Sequence, residues 1–246
     1  MGFEEDGNGE RSRSLVGGIF SEVGLLVTSI VDLFSGRNRK VQPSDEIWMT
    51  DQAMWTGFSD ALSHPDTRIR IVTAHFPDDL GGAVEAMQSR RIPFRVWIAP
   101  PSREAAMRDL QKMDNEILIS DARTFPDWSQ QPPFESAACR PVSVLVCHHH
   151  PLPAEDQRII DFVTSLNPKS ELQFYTSLEH PLFQRFMGDS VKELLQLLGM
   201  KEDESIHHPM VSRHLQRIQQ RIARHNPDRQ EADSCGEWFH LNLKDG

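Results

Sequence analysis

The side chains best suited to chemistry are crowded into one short run, Cys147, His148, His149 and His150, where a thiol and three imidazoles could ligate a metal ion or carry protons. The run closes an apolar segment, Pro141 to Cys147, that reads as a strand, and successive strand residues point to opposite faces. At most two of the four could therefore meet one ion without help, for which His180, His207 and His208 are available. No C-x₂-C pair stands with them, so no metal site and no cofactor is assigned. Cys139 lacks a local signature for a thiol nucleophile, and a G-x-S-x-G elbow is absent, so ordinary hydrolysis finds no support. With Cys235 the cysteines number 3, an odd count that suits neither a disulfide framework nor a cysteine zinc finger. A reducing, cytoplasmic setting is expected.

A second group with chemical potential is the arginine row Arg213, Arg217, Arg221 and Arg224 on a helix read from Met210 to His225. No aromatic residues interleave with it, which argues for a solvated face open to an acidic partner rather than a nucleic-acid site. Lys plus Arg total 26 against 36 Asp plus Glu, and a net charge of −10 repels a polyphosphate backbone. No nucleic-acid partner is expected. On another side of the same helix Val211, Leu215, Ile218 and Ile222 form a narrow apolar seam, which with the arginines makes the candidate interface. Part of that seam is expected to be covered internally, because each fully buried aliphatic side chain contributes about 1.5 to 3 kcal/mol.

These groups need a scaffold, and 246 residues at 38% hydrophobic and 25% charged suffice for one or two packed cores. Helical and strand patterns alternate from about Val41. Met54, Trp55, Phe58 and Leu62 share a face of a helix from Asp51 to Leu62 with Thr50 as N-cap. A strand at Arg68 to Ala74, a helix at Asp78 to Ser89 and a strand at Phe94 to Ile98 follow. Next come a helix at Ser102 to Met113, a strand at Glu116 to Ser120, a Pro-rich excursion at Thr124 to Ser136, and the strand Pro141 to Cys147. A helix at Ala154 to Ser165, a strand at Leu172 to Thr176 and a helix at Asp189 to Leu198 complete the series. Helices between most successive strands imply an α/β fold whose mainly parallel sheet is covered on both faces. The end, from Asn226, is polar with an isolated WFHL patch and is expected to be loosely held.

The segment from Leu15 to Phe34 reads as an amphipathic helix. Ile19, Phe20, Val23, Val27, Ile30 and Val31 share one half of the wheel, and Glu22, Ser29 and Asp32 the other. Acids at those positions cost about 2.5 kcal/mol or more each near a bilayer centre, so spanning is not expected. Packing against protein is favoured over lying on a membrane surface, because the polar face carries acids where lipid-binding helices carry Lys and Arg.

The stretch FYTSLEHPLFQRFMGDSVKELLQLLGMKEDESIHHPMVSRHLQRIQQRIARHN, Phe174 to Asn226, resembles the preprotein translocase motor family SecA. That family carries F-Y-L-S-L-E-D-x-L, L-G-M, E-H-P-x-V-[ST] and E-x-R-N in this order, where its second nucleotide-binding lobe joins a scaffold helix. Phe174, Tyr175, Ser177, Leu178, Glu179, Leu198, Gly199, Met200, Ile206, His208, Pro209, Val211, Ser212, Gln219, Arg224 and Asn226 fall in matching places. Upstream the register holds while the chemistry is lost. Ala122, Arg123, Thr124, Phe125, Pro126 and Asp127 stand where the family has N-M-A-G-R-G-T-D. His150, Asp156 and Arg158 are the remnant of its E-R-H-E-S-R-R-I-D motif, and Ile160 and Phe162 occupy positions of its arginine fingers.

The resemblance implies a RecA-like α/β domain over 41–198 and a scaffold-like helical extension over 199–226, to which the residue patterns add a flexible tail over 227–246 and a tail over 1–40 with its helix at 15–34. A G-x-x-x-x-G-K-[ST] loop is absent and the arginine fingers are replaced, a loss worth about 10³ to 10⁵ in rate for one finger alone. No catalytic residue is therefore assigned. The expected role is a non-catalytic protein-interaction or regulatory scaffold with a partner in the translocation machinery, cytoplasmic or peripheral to the membrane. The alternatives are an ATP-binding translocation motor lobe completed by another chain and a peripheral membrane-associated protein.

Overall fold

The computed structural model describes residues 41–246 except 67, 115, 129–139, 188–200, 202, 207–208, 226–227 and 244–246. The helices expected at 15–34 and 189–198 therefore lie outside the described residues, as does Cys139.

Apolar runs build a six-stranded sheet in the order β1 (Ser44–Trp48), β6 (Glu171–Ser177), β5 (Val142–Cys147), β2 (Ile69–Ala74), β4 (Ile117–Asp121), β3 (Arg95–Val96). Every pairing is parallel. The connecting helices are α1 (Asp51–Ser63), α2 (Pro77–Ser89), α3 (Arg103–Gln111) and α4 (Pro153–Leu166). This is the expected α/β class, a parallel sheet with helices between most of its strands.

Local signals explain where the helices begin. Thr50 Oγ1 accepts from Ala53 N over 3.2 Å at the start of α1, and Ser102 Oγ accepts from Ala105 N over 3.2 Å at the start of α3. Helices α2 and α4 open on Pro77 and Pro153, each followed by acids that suit the positive helix start. Alternation along the buried strands then sorts the core. Ile71, Val144, Val146 and Phe174 meet α3 and α4 on one face, while Val72, Leu145, Cys147 and Tyr175 meet α1 and α2 on the other.

A third apolar layer lies at the carboxyl ends of the strands. It is built by α5 (Pro181–Met187), α6 (Pro209–Arg224) and α7 (Cys235–Asn242), which bring Leu182, Leu215, Ile218, Trp238 and Phe239 against Ile47, Phe76 and Leu152. The described residues from 41 onward form one compact unit, so α6 is part of the same body as the sheet.

Three expectations need correction. The stretch expected to be loosely held contains α7, capped by Ser234 Oγ accepting from Glu237 N over 3.2 Å, with Trp238 and Phe239 buried. Its Asn242 holds Gln230 through a donated and an accepted bond of 3.0 and 2.6 Å, and Asp233 O accepts from Asp78 N over 3.0 Å. Hydrophobic burial outweighs the polar composition here. The strand expected at Phe94 to Ile98 shrinks to the edge strand Arg95–Val96, with Val96 69% exposed and Ile98, beyond its end, 73% exposed. Strand β1 was not anticipated, since Ser44, Asp45 and Glu46 give it no apolar alternation. Its far side is bridged by Ile206, whose N–H reaches Ile47 O over 2.6 Å.

Candidate functional site

Parallel α/β sheets bind ligands in the crevice beyond the carboxyl ends of their strands, and it is there that the histidine run lies. Strand β5 ends at Cys147, and His148 takes a positive φ of 61°, a conformation rare outside Gly and Asn. That turn splays the run. His148 goes toward α2 and α5, His149 toward β1 and α4, and His150 toward Phe76 and Trp238.

Asp156, in the first turn of α4, organises the middle of the site. Its Oδ2 lies 2.8 Å from His149 Nδ1 and accepts from Gln219 Nε2 over 2.6 Å; its Oδ1 accepts from His150 N over 3.0 Å and lies 2.8 Å from His75 Nε2. Gln219 also donates to His150 O over 2.8 Å, which locks α6 to the end of β5. The other nitrogen of His149, Nε2, lies 3.3 Å from Asp45 Oδ1.

The charges follow from these distances. Burial would lower the His149 pKa, but Asp156 and Asp45 on either side outweigh it and push it up to about 9. Burial would likewise raise Asp156, and His149 and His75 instead hold its carboxyl well below the usual range. Asp45 is held down by His149 in the same way. Burial pushes His150 down to about 3, leaving a neutral ring whose Nδ1 accepts from Leu152 N over 2.9 Å.

With a carboxylate at each nitrogen, His149 is an imidazolium with no free nitrogen to act as a general base. The network is a buried ionic tie among β1, β5, α4 and α6. Beside it opens a cleft of about 600 Å³ lined by Asp45, His149, Asp156, Ser212, Arg213 and Gln216.

The structure thus brings two of the family-matched remnants, His150 and Asp156, into direct contact. Arg158 points elsewhere, donating to Ala122 O over 3.1 Å and pairing with Glu155 at 3.2 Å. Phe162, at an expected finger position, is core, stacked on Phe125 with ring centroids 4.1 Å apart. Ala122–Thr124, in place of the family's glycine-bearing turn, is a 3₁₀ turn in which Arg123 pairs with Asp121 at 2.7 Å. Val211, Leu215, Ile218 and Ile222, offered as interface, are all buried within the chain; Arg213, Arg217 and Arg221 are exposed. Asp45, His75 and Gln219 were missed as site residues. They lie far from the run in sequence, and no local spacing links them to it.

Comparison with known proteins finds short matches to one family. The protein translocase subunit SecA of Rickettsia typhi (strain ATCC VR-144 / Wilmington) is 44% identical over 54 residues, 22% of this chain and 6% of that protein. The SecA subunit of Rickettsia canadensis (strain McKiel) is 43% identical over the same length. Part of this chain is SecA-like. The match spans about 6% of the length of those relatives. No family model matches. The crystal structure of the C-terminal part of the Fun30 ATPase domain superposes with a TM-score of 0.36 at 12% identity, over 72% of this chain and 56% of that one. Among the described residues no helix is long and apolar enough to cross a membrane.

Proposed function

We propose that this chain is a non-catalytic, SecA-like domain that serves as a protein-interaction or regulatory scaffold linked to preprotein translocation. One observation carries the reading: the carboxyl ends of the strands, where a RecA-like domain would present groups to a nucleotide, are covered by α5, α6 and α7. Trp238, Phe239 and Ile218 fill that layer with apolar side chains, and Gln219 closes it over Asp156. Among the described residues that apolar layer itself offers no donor to a transferring phosphoryl group. The similarity to SecA supplies the link to translocation. What α6 leaves on the outside is Arg217 and Arg221, a basic edge suited to an acidic protein partner.

Calorimetric titration with Mg-ATP and affinity purification from the native cell test the two halves of the proposal. No saturating heat and no turnover are expected, together with recovery of translocation components. Micromolar ATP affinity, with hydrolysis lost on Arg158→Ala, would instead establish a motor lobe completed by another chain.

A further inference from the structure

On the side of β5 opposite the Asp156 network, three side chains from three parts of the chain converge. Asp79 comes from the first turn of α2, His148 from the residue just after β5 and His180 from the residue just before α5, with one potential ligand atom of each within 4.8 Å of the others. His148 and His180 are 4% exposed, with parallel rings and centroids 4.1 Å apart. Among the described residues neither nitrogen of His180 has a hydrogen-bond partner, and neither does Asp79 Oδ2, although all three atoms are buried. Buried polar atoms are normally paired, because an unmet one costs about 1 to 3 kcal/mol. Asp79 Oδ2 and one nitrogen of His180, carried by different parts of the chain and close to a nitrogen of His148, can be met by one shared partner.

We infer that Asp79, His148 and His180 bind a divalent first-row transition ion of the zinc class. Two imidazoles and one carboxylate form a borderline donor set that suits zinc, iron(II) or cobalt(II) and is poor for magnesium, which takes oxygen ligands. His148 Nδ1 lies 3.2 Å from Thr176 Oγ1, a contact of the kind that orients a ligating ring. Burial keeps both imidazoles neutral, as ligation requires. The Asp79 carboxyl is pushed up to about 7 by burial and by Asp78 and Asp51, an electrostatic environment that a cation relieves. Trp55 packs edge-on against His148, with centroids 5.9 Å apart, and shields the site. Gly82 admits that indole, since a Cβ there would lie 2.7 Å from it.

The test uses the full chain stripped with chelator and titrated with cobalt(II), followed by its ligand-field absorption, with zinc as competitor. One cobalt per chain, displaced by zinc, is expected. His180→Ala and Asp79→Asn should weaken binding on the order of 100-fold or more, at least what a lost supporting contact costs. The double substitution His207→Ala with His208→Ala should leave it unchanged. Absence of stoichiometric cobalt, or undiminished affinity in His180→Ala and Asp79→Asn, overturns the site. A measurement that needs no variant is the melting midpoint of the unaltered chain, which zinc should raise and magnesium should not; an equal rise with both ions overturns it too.

Discussion

Gln219 Nε2 donates to Asp156 Oδ2 over 2.6 Å, joining the middle of α6 to the first turn of α4 across 63 residues of sequence. The same amide group donates to His150 O, so one side chain satisfies two buried acceptors on two elements. This contact makes α6 part of the sheet domain and shuts the end of the crevice against which it lies.

The Asp156 carboxylate has four polar neighbours and is 7% exposed. Asp156→Ala should destabilise the chain by about 3 to 5 kcal/mol, because it strands a buried imidazolium. Gln219→Ala should have a smaller effect, on the order of 1 to 3 kcal/mol, since it removes a neutral donor. Urea unfolding of the two variants gives both values, and a near-neutral Asp156→Ala would contradict the network.

Stability should depend on pH in two limbs. His149 has its pKa raised to about 9, so its contribution is fully present below about 6.5 and is lost as pH rises through 9. Asp156 is depressed, so its contribution is present above 3.8 and is lost as pH falls through its folded value. Urea midpoints should therefore decline toward alkali as well as toward acid. His149→Gln should abolish the alkaline limb, and an unaltered limb in that variant would assign it to another group.

The third apolar layer should behave as core. Leu215 is 1% exposed and Trp238 is 3% exposed. Leu215→Ala should cost about 2 to 5 kcal/mol and Trp238→Ala about 3 to 5 kcal/mol. Thermal melting at matched concentrations checks both. A Trp238→Ala protein that melts like the parent would return the C-terminal segment to a loosely held tail.

Arg217 and Arg221 offer the complementary case. Both are exposed, so a paired charge reversal, Arg217→Glu with Arg221→Glu, should change stability by no more than about 0.5 kcal/mol per site. Retention of translocation components on the immobilised chain should nevertheless fall, and the difference from the parent should shrink as salt rises, as expected for screened charge. Retention equal to the parent's would remove this face from the proposed interface.

The amino-acid sequence alone determined the α/β class and most of its elements, because the signals are local. Thr50, Ser102 and the prolines at 77, 153 and 209 announce helix starts, and the runs at Ile69–Ala74 and Val142–Cys147 are apolar enough to read as buried strands. The α6 seam was legible for the same reason, as a period of four, three and four among Val211, Leu215, Ile218 and Ile222. The spacing Ser234-x-x-Glu237 carried a capping signal for α7 that the polar composition around it masked. What occupies the carboxyl ends of the strands was decided only by tertiary structure. Asp79, Asp156 and His180 meet the histidine run because a parallel sheet brings the ends of distant strands, and the helix starts that follow them, to one edge, while Asp45 reaches it through the register of β1 on β6 and Gln219 through the packing of α6. Which way each histidine faces depends on the backbone reversal at His148, and whether a nitrogen is protonated depends on which carboxylates then stand beside it. Those are distances through space, and no pattern along the chain encodes them.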